Sequence, residues 1–210
     1  MRQMLHLDHI SLVAERRTFE GLGFRVTPTG GSMTHARIFL DQTYFELRPP
    51  GRRQVEVGSR GWFLRPADPG EAADTLRAAG LAAEGPSHYQ GEDGRWLDIS
   101  LSAASASVLP ILTKRVDRPD GEWPPPLVDR HPNGATRIAE LHLQAQDPAP
   151  LLNLFEALGV PSVGPDTYEL AGRAQVVLRA TDSGANGVVA VVLERPGAEQ
   201  LRLEAEPLHD

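Results

Sequence analysis

Residues 5–14 read Leu5-His6-Leu7-Asp8-His9-Ile10-Ser11-Leu12-Val13-Ala14, and the fold follows from how they alternate. Leu5, Leu7, Ile10, Leu12 and Ala14 fall on one face of an extended chain, with a slip in phase near Asp8. His9, Ser11 and Val13 fall on the other. Successive side chains of a strand point to opposite faces, so His9 and Ser11 share a surface away from the layer holding Ile10 and Leu12. A His and a Ser on the less apolar face of a well-patterned strand point to a pocket wall.

The residues that follow build a unit around this strand. Glu15–Gly23 places Phe19 and Leu22 three apart, as on a short helix, with Gly23 as its stop. Phe24–Pro28 reads as a strand. Ala36–Leu40 and Thr43–Arg48 read as two more, joined by Asp41-Gln42, the length of a two-residue hairpin. Tyr44, Glu46 and Arg48 share one face of the last strand; Phe45 and Leu47 share the other. The order is strand, helix, strand, strand, strand.

That order recurs twice. After a polar connector over Pro49–Arg60, Gly61–Pro66 reads as a strand. Pro69–Gly80 has the pattern of a helix: Pro at its start, Ala72, Ala73, Leu76 and Ala79 at helical spacing, and Gly at its end. Leu81–Gly85, Trp96–Leu101 and Ser107–Lys114 complete the second unit, with Pro110 marking an edge or a bulge. Residues 115–135 hold three consecutive prolines and no periodicity, which excludes regular helix. A third copy starts with Arg137–Ala145 and a helix over Asp147–Gly159. Tyr168–Leu170, Gln175–Arg179 and Val188–Glu194 supply its strand-like runs. The expected division is two paired units over 1–115, a Pro-rich connector over 116–135, and a third unit over 136–210. A repeated strand–helix–three-strand unit is itself an architectural signal, and one unit alone leaves open sheet edges. The fold class expected is α+β, built of repeated βαβββ units; the third either packs against the first two or pairs with its counterpart in a second chain, and its exposed edge predicts a homodimer.

Composition narrows the function classes. A chain of 210 residues that is 40% hydrophobic and 23% charged is ordinary for a globular protein. Its net charge of −7 argues against a nucleic-acid partner. No apolar run approaches the roughly 18 residues of a membrane span. The N-terminal MRQMLHLDHI lacks an apolar stretch followed by a cleavage site, so no signal peptide is expected. With no Cys there are neither disulfides nor thiolate ligands, which fits a cytoplasmic protein. No nucleophile elbow or dinucleotide fingerprint is present, and Gly30-Gly31 lacks the Lys and strand-to-helix setting of a phosphate loop.

Five stretches carry a resemblance: Leu7-Asp8-His9-Ile10, Leu22-Gly23-Phe24, Thr34-His35-Ala36, Phe45-Glu46-Leu47 and His131-Pro132-Asn133-Gly134-Ala135. In this order they resemble the vicinal oxygen chelate superfamily, which includes glyoxalase, bleomycin-resistance and extradiol-dioxygenase proteins. Within it the likeness is to bacterial glyoxalase-like domain proteins. The resemblance implies two units paired into a curved mixed sheet around a cleft. In metal-dependent members a first-strand His and a last-strand Glu are ligands; carried over, these are His9 and Glu46, bound to a divalent ion such as Zn, Ni, Mn or Fe. Both also lie on the pocket side in the alternation above. The second unit offers only Gly61, Phe63 and Arg65 at the matching parity, and no carboxylate in its last strand. The third unit offers Glu140 and His142 at the places matching His9 and Ser11, with Glu194 ending its last strand.

Two functions therefore stay open. One is a metal-dependent lyase, isomerase or dioxygenase acting on a small oxygen-rich molecule, the ion chelating two neighbouring oxygens. His35 is then a ligand or an acid–base group, the two roles an imidazole commonly fills. The other is a metal-free protein that sequesters a small molecule in the same cleft, as resistance proteins of the superfamily do. In both, Ser11, Tyr44, Arg48, Phe63 and Arg65 are expected to line the pocket: aromatics for an organic body, guanidinium for an anionic group. Trp62 and Trp96 either line the same apolar pocket or belong to the ordinary core, the commoner place for any one such aromatic. His131 and Asn133 are expected to make turn hydrogen bonds.

Overall fold

In the computed structural model, residues 4–28, 35–49, 58–91, 94–102, 108–117, 130–182 and 186–205 are described. Expectations on Gly30–Thr34 and most of the 115–135 connector lie outside them. The first unit consists of β1 (Leu5–Val13), α1 (Arg16–Gly21), β2 (Thr27–Pro28), β3 (Ala36–Leu40) and β4 (Thr43–Arg48). The second consists of β5 (Gly58–Pro66), α2 (Pro69–Ala78), β6 (Ala83–Gly91), β7 (Gly94–Leu101) and β8 (Ile111–Arg115). Then come β9 (Arg137–Ala145), α3 (Ala149–Leu158), β10 (Ser162–Gly164), β11 (Thr167–Glu169), β12 (Gln175–Ala180), β13 (Gly187–Glu194) and β14 (Leu201–Glu204).

Local chemistry explains the boundaries. Asp41, in the left-handed region at φ 44°, turns β3 into β4, a conformation Asp tolerates through its short polar side chain. Asp68 caps α2 by accepting from the Glu71 N–H at 3.0 Å, and Pro69 fills the first turn, where no backbone donor is needed. Gly159 at φ 71° ends α3.

The first two units form one mixed, unclosed eight-stranded sheet, ordered β2-β3-β4-β1-β5-β8-β7-β6. Antiparallel β1 and β5 join at its centre, and each is flanked by its own unit's last strand in parallel: β4 beside β1, β8 beside β5. The phase slip near Asp8 is a β-bulge. Leu7 pairs with Leu64 and His9 with Phe63, so Asp8 is the extra residue. A bulge swings two consecutive side chains toward one face.

The second sheet is ordered β10-β11-β12-β9-β13-β14. Its parallel pair is β9 with β12, so the third unit ends at β12 and not at Glu194. Val177, opposite His142, takes the place that Glu46, opposite Ser11, holds in the first unit. Val188–Glu194 instead belongs to β13, which runs antiparallel to β9 as β5 does to β1. The third unit thus finds its pairing partners within the chain, in β13 and β14.

One apolar layer lies between the sheets and is shared by both. Ile10, Leu12, Ile38, Phe45, Leu47 and Leu64 join Leu141, Leu143, Leu154 and Val191 in it. Helices α2 and α3 pack against each other there. Trp62 belongs to this layer and not to a pocket: it is 1% exposed, meets Phe155 edge-on at 6.4 Å, and donates from Nε1 to the Val108 carbonyl. His131 is also buried. Its Nδ1 accepts from the Arg25 N–H at 3.1 Å and its Nε2 meets the Phe39 carbonyl at 2.8 Å, tying the connector back to the first unit. Asn133 makes the expected turn bond to the Ala135 N–H and a second bond to the Leu22 carbonyl.

Candidate functional site

Every strand near β1 turns its apolar side chains into the shared layer, so alternation leaves polar and aromatic groups on the opposite face. His9 stands at the centre of that face. It pairs with Tyr44 on β4 and with Phe63 on β5. All three rings stack: His9 lies 4.5 Å from Tyr44 and 3.8 Å from Phe63, nearly parallel to both. The bulge brings Asp8 to the same side, where its Oδ2 lies 2.8 Å from His9 Nδ1. Arg65 Nη1 approaches the other Asp8 oxygen at 3.9 Å. Among the described residues Nε2 of His9 has no hydrogen-bond partner, and it is not sealed from solvent.

Glu46 pairs with Ser11 of β1, two residues along from His9. Its Oε2 accepts from Ser11 Oγ at 3.2 Å, from Arg48 Nε at 2.9 Å and from Arg48 Nη2 at 2.9 Å. Burial pushes this carboxyl up, but the charge of Arg48, then His9, the Arg48 hydrogen bond and Arg37 together hold it below the ordinary 4.5. Arg37, paired with Glu46 across β3 and β4, places its guanidinium 5.0 Å from the Tyr44 ring centre.

The second unit contributes Asp98 on β7. Thr113 Oγ1 donates to its Oδ1 at 2.6 Å. Burial raises Asp98 above the ordinary 3.8; the Thr113 bond and His9 oppose that rise, and Asp8 adds to it. The sequence reading missed Asp8, Arg37, Asp98 and Thr113. Asp98 had a signal: in Trp96-Leu97-Asp98-Ile99, it alternates away from buried Ile99.

Of the residues singled out in the sequence, His9, Ser11, Tyr44, Glu46, Arg48 and Phe63 come together, with Arg65 beside Asp8. His35 is half-buried, one step before the Ala36–Leu47 pair and thus next to Arg48. Trp96 lies farther out, against Tyr89 and Arg115.

These donors do not make up a metal-binding set. Laid over each other on their buried positions, Ile10 with Trp62 and Leu12 with Leu64, the two units set His9 against Gly61; Glu46, opposite Ser11, then falls against Ile111, opposite Phe63. Neither Gly61 nor Ile111 can ligate an ion. Glu46 is held by Arg48 and Ser11, and no group of three or more His, Asp or Glu converges to hold a metal among the described residues. A hollow of about 70 Å³ between the sheets, lined by His6, Thr43, Arg137 and Ala171 among others, contains none of the residues above.

Comparison with known proteins agrees with this architecture. A family model described as a glyoxalase-like domain matches residues 7–159. A hypothetical protein from Staphylococcus aureus shares the fold at TM-score 0.68 and 10% identity, covering 93% of this chain and 92% of its own. The Mn(II)-bound glyoxalase from Novosphingobium aromaticivorans follows at TM-score 0.55 and 13% identity, over 91% of this chain and 65% of its own. The 2,3-dioxygenase LapB from Pseudomonas sp. KL28 matches at TM-score 0.55 and 11% identity, over 100% of this chain and 95% of its own. No curated protein matches the sequence.

Proposed function

The chain belongs to the glyoxalase-like domain family, and on that basis we propose that its cleft binds a small, flat, anionic organic molecule without a metal ion. The observation that carries this reading is the state of Glu46. The carboxylate that the family resemblance assigns to a metal is already held by two guanidinium nitrogens and a hydroxyl. These three contacts converge on Oε2 and commit the carboxylate to Arg48 and Ser11, and the second unit offers Gly61 and Ile111 where further ligands are needed. What remains is a ligand wall. Arg48 and Arg65, which stand beside Glu46 and Asp8, bring guanidinium groups to the wall that can receive an anionic group. Phe63, half-buried beside His9, offers aromatic surface to an organic body.

Elemental analysis of protein purified without an affinity tag tests this. The expected result is metal far below one ion per chain and a melting temperature unmoved by Mn²⁺, Zn²⁺ or Ni²⁺. Near-stoichiometric metal that disappears in His9→Ala would overturn it.

A further inference from the structure

We propose that the cleft is catalytic through an Asp8–His9 pair, with His9 Nε2 as a general base that removes a proton from carbon next to a carbonyl. This rests on the reading that the cleft binds a small oxygen-bearing anion, and adds a reaction to it.

The geometry fixes the ring in every direction but one. Tyr44 and Phe63 cover its two faces at 4.5 and 3.8 Å. Asp8 Oδ2, at 2.8 Å, takes Nδ1 and selects the tautomer that carries its proton there. Nε2 is left with a lone pair and no partner among the described residues. A base held by packing, with a carboxylate orienting its far nitrogen, is the arrangement that proton abstraction needs. It depends on the bulge: without the extra residue, Asp8 and His9 would point to opposite faces. The other charged groups around His9 are Glu46 and Arg48 on β4, Arg37 on β3, Arg65 on β5 and Asp98 on β7.

The step balances without an oxidant or a cofactor. The C–H bond breaks and Nε2–H forms. The C–H electron pair becomes the C=C bond of an enolate while the carbonyl π pair moves to oxygen. Arg48 and Arg65 supply positive charge for that oxygen and for a carboxylate. The imidazolium then returns its proton to carbon or to oxygen, so the class of reaction is tautomerisation or epimerisation.

Phenylpyruvate, which is flat, anionic and enolisable, is the probe. Its binding is measured by calorimetry, and the loss of its CH₂ proton signal in D₂O by NMR, at saturating concentration. The expected result is exchange well above the buffer rate. His9→Gln should lower it about 100-fold, and Asp8→Asn about 10-fold or more, each compared at a concentration that saturates that variant. Independently, ¹⁵N NMR of the unliganded protein should show His9 protonated at Nδ1 and bare at Nε2, and Asp8→Asn should shift that balance. Binding without enhanced exchange, or exchange unchanged in His9→Gln, overturns the catalytic proposal and leaves the binding reading intact. Absence of binding overturns both. A His9 ring protonated at Nε2 in the free protein overturns the assignment of the base.

Discussion

The two sheets carry the same backbone device with different side chains. In the eight-stranded sheet the bulge falls on Asp8, beside His9. In the six-stranded sheet Val192 pairs with Glu140 and Leu193 with Ile138, so the bulge falls on Ala139, beside Glu140. The first bulge delivers a carboxylate to a stacked imidazole. The second delivers a methyl group. A His–Glu contact does form in the second sheet, with His142 Nε2 at 2.7 Å from Glu140 Oε2, but its strand neighbours are Val177 and Ala190 instead of a Tyr and a Phe. His142 Nδ1 is buried without a partner among the described residues, so the ring offers no open nitrogen of the kind His9 has. A repeated fold thus preserves where a site could stand. The side chains at four or five register positions decide whether one does.

The comparison can be broken most severely at the seam. Trp62→Ala removes the indole that meets Phe155 from the other sheet, and should cost about 3–5 kcal/mol in urea unfolding. Both sheets should lose stability in one transition, because they share one apolar layer; two separate transitions in the wild type would contradict that. His131→Ala leaves the Arg25 N–H and the Phe39 carbonyl without their buried partner, and should cost roughly 2–4 kcal/mol by the same measurement.

Smaller changes sharpen the contrast inside the cleft. Glu46 is lowered in the folded protein, so its contribution to stability is present above its unfolded value near 4.5 and is lost as pH falls through the folded value. Glu46→Gln should therefore weaken the protein at pH 7 and flatten its loss of stability in acid. Asp98 is raised, so the opposite holds: its cost appears as pH climbs through the unfolded value near 3.8 and is complete above the folded one. Asp98→Asn should be more stable than wild type at pH 7 and no different at pH 3, as read from paired melting curves. The smallest effect belongs to the second sheet. Glu140→Gln should cost at most about 1 kcal/mol, its side chain being a third exposed, and should leave ligand binding in the first sheet unchanged.

Much of this was legible in the sequence. The alternation in β1, the hairpin turn at Asp41-Gln42, the capped helix α2 and the repeated unit follow from local chemistry, and each is readable residue by residue. The slip at Asp8 was readable as well, since a bulge breaks a period-2 pattern. Its consequence was not. That Asp8 bonds to His9 depends on pairing with β5, a long-range contact that no local spacing encodes. Asp98 went unread for the same reason, because it reaches the cleft only once the second unit is docked beside the first. The last strand of the third unit was misplaced because Val188–Glu194 is the longer and more apolar run. Gln175–Ala180 nevertheless wins the parallel position beside β9.

Calorimetric titration of phenylpyruvate into protein kept in EDTA tests the central claim, a metal-free cleft centred on His9, most directly. Binding is expected in EDTA, unchanged by added Mn²⁺ and weakened at least about tenfold by Arg48→Ala. Binding that appears only when Mn²⁺ is supplied would contradict it.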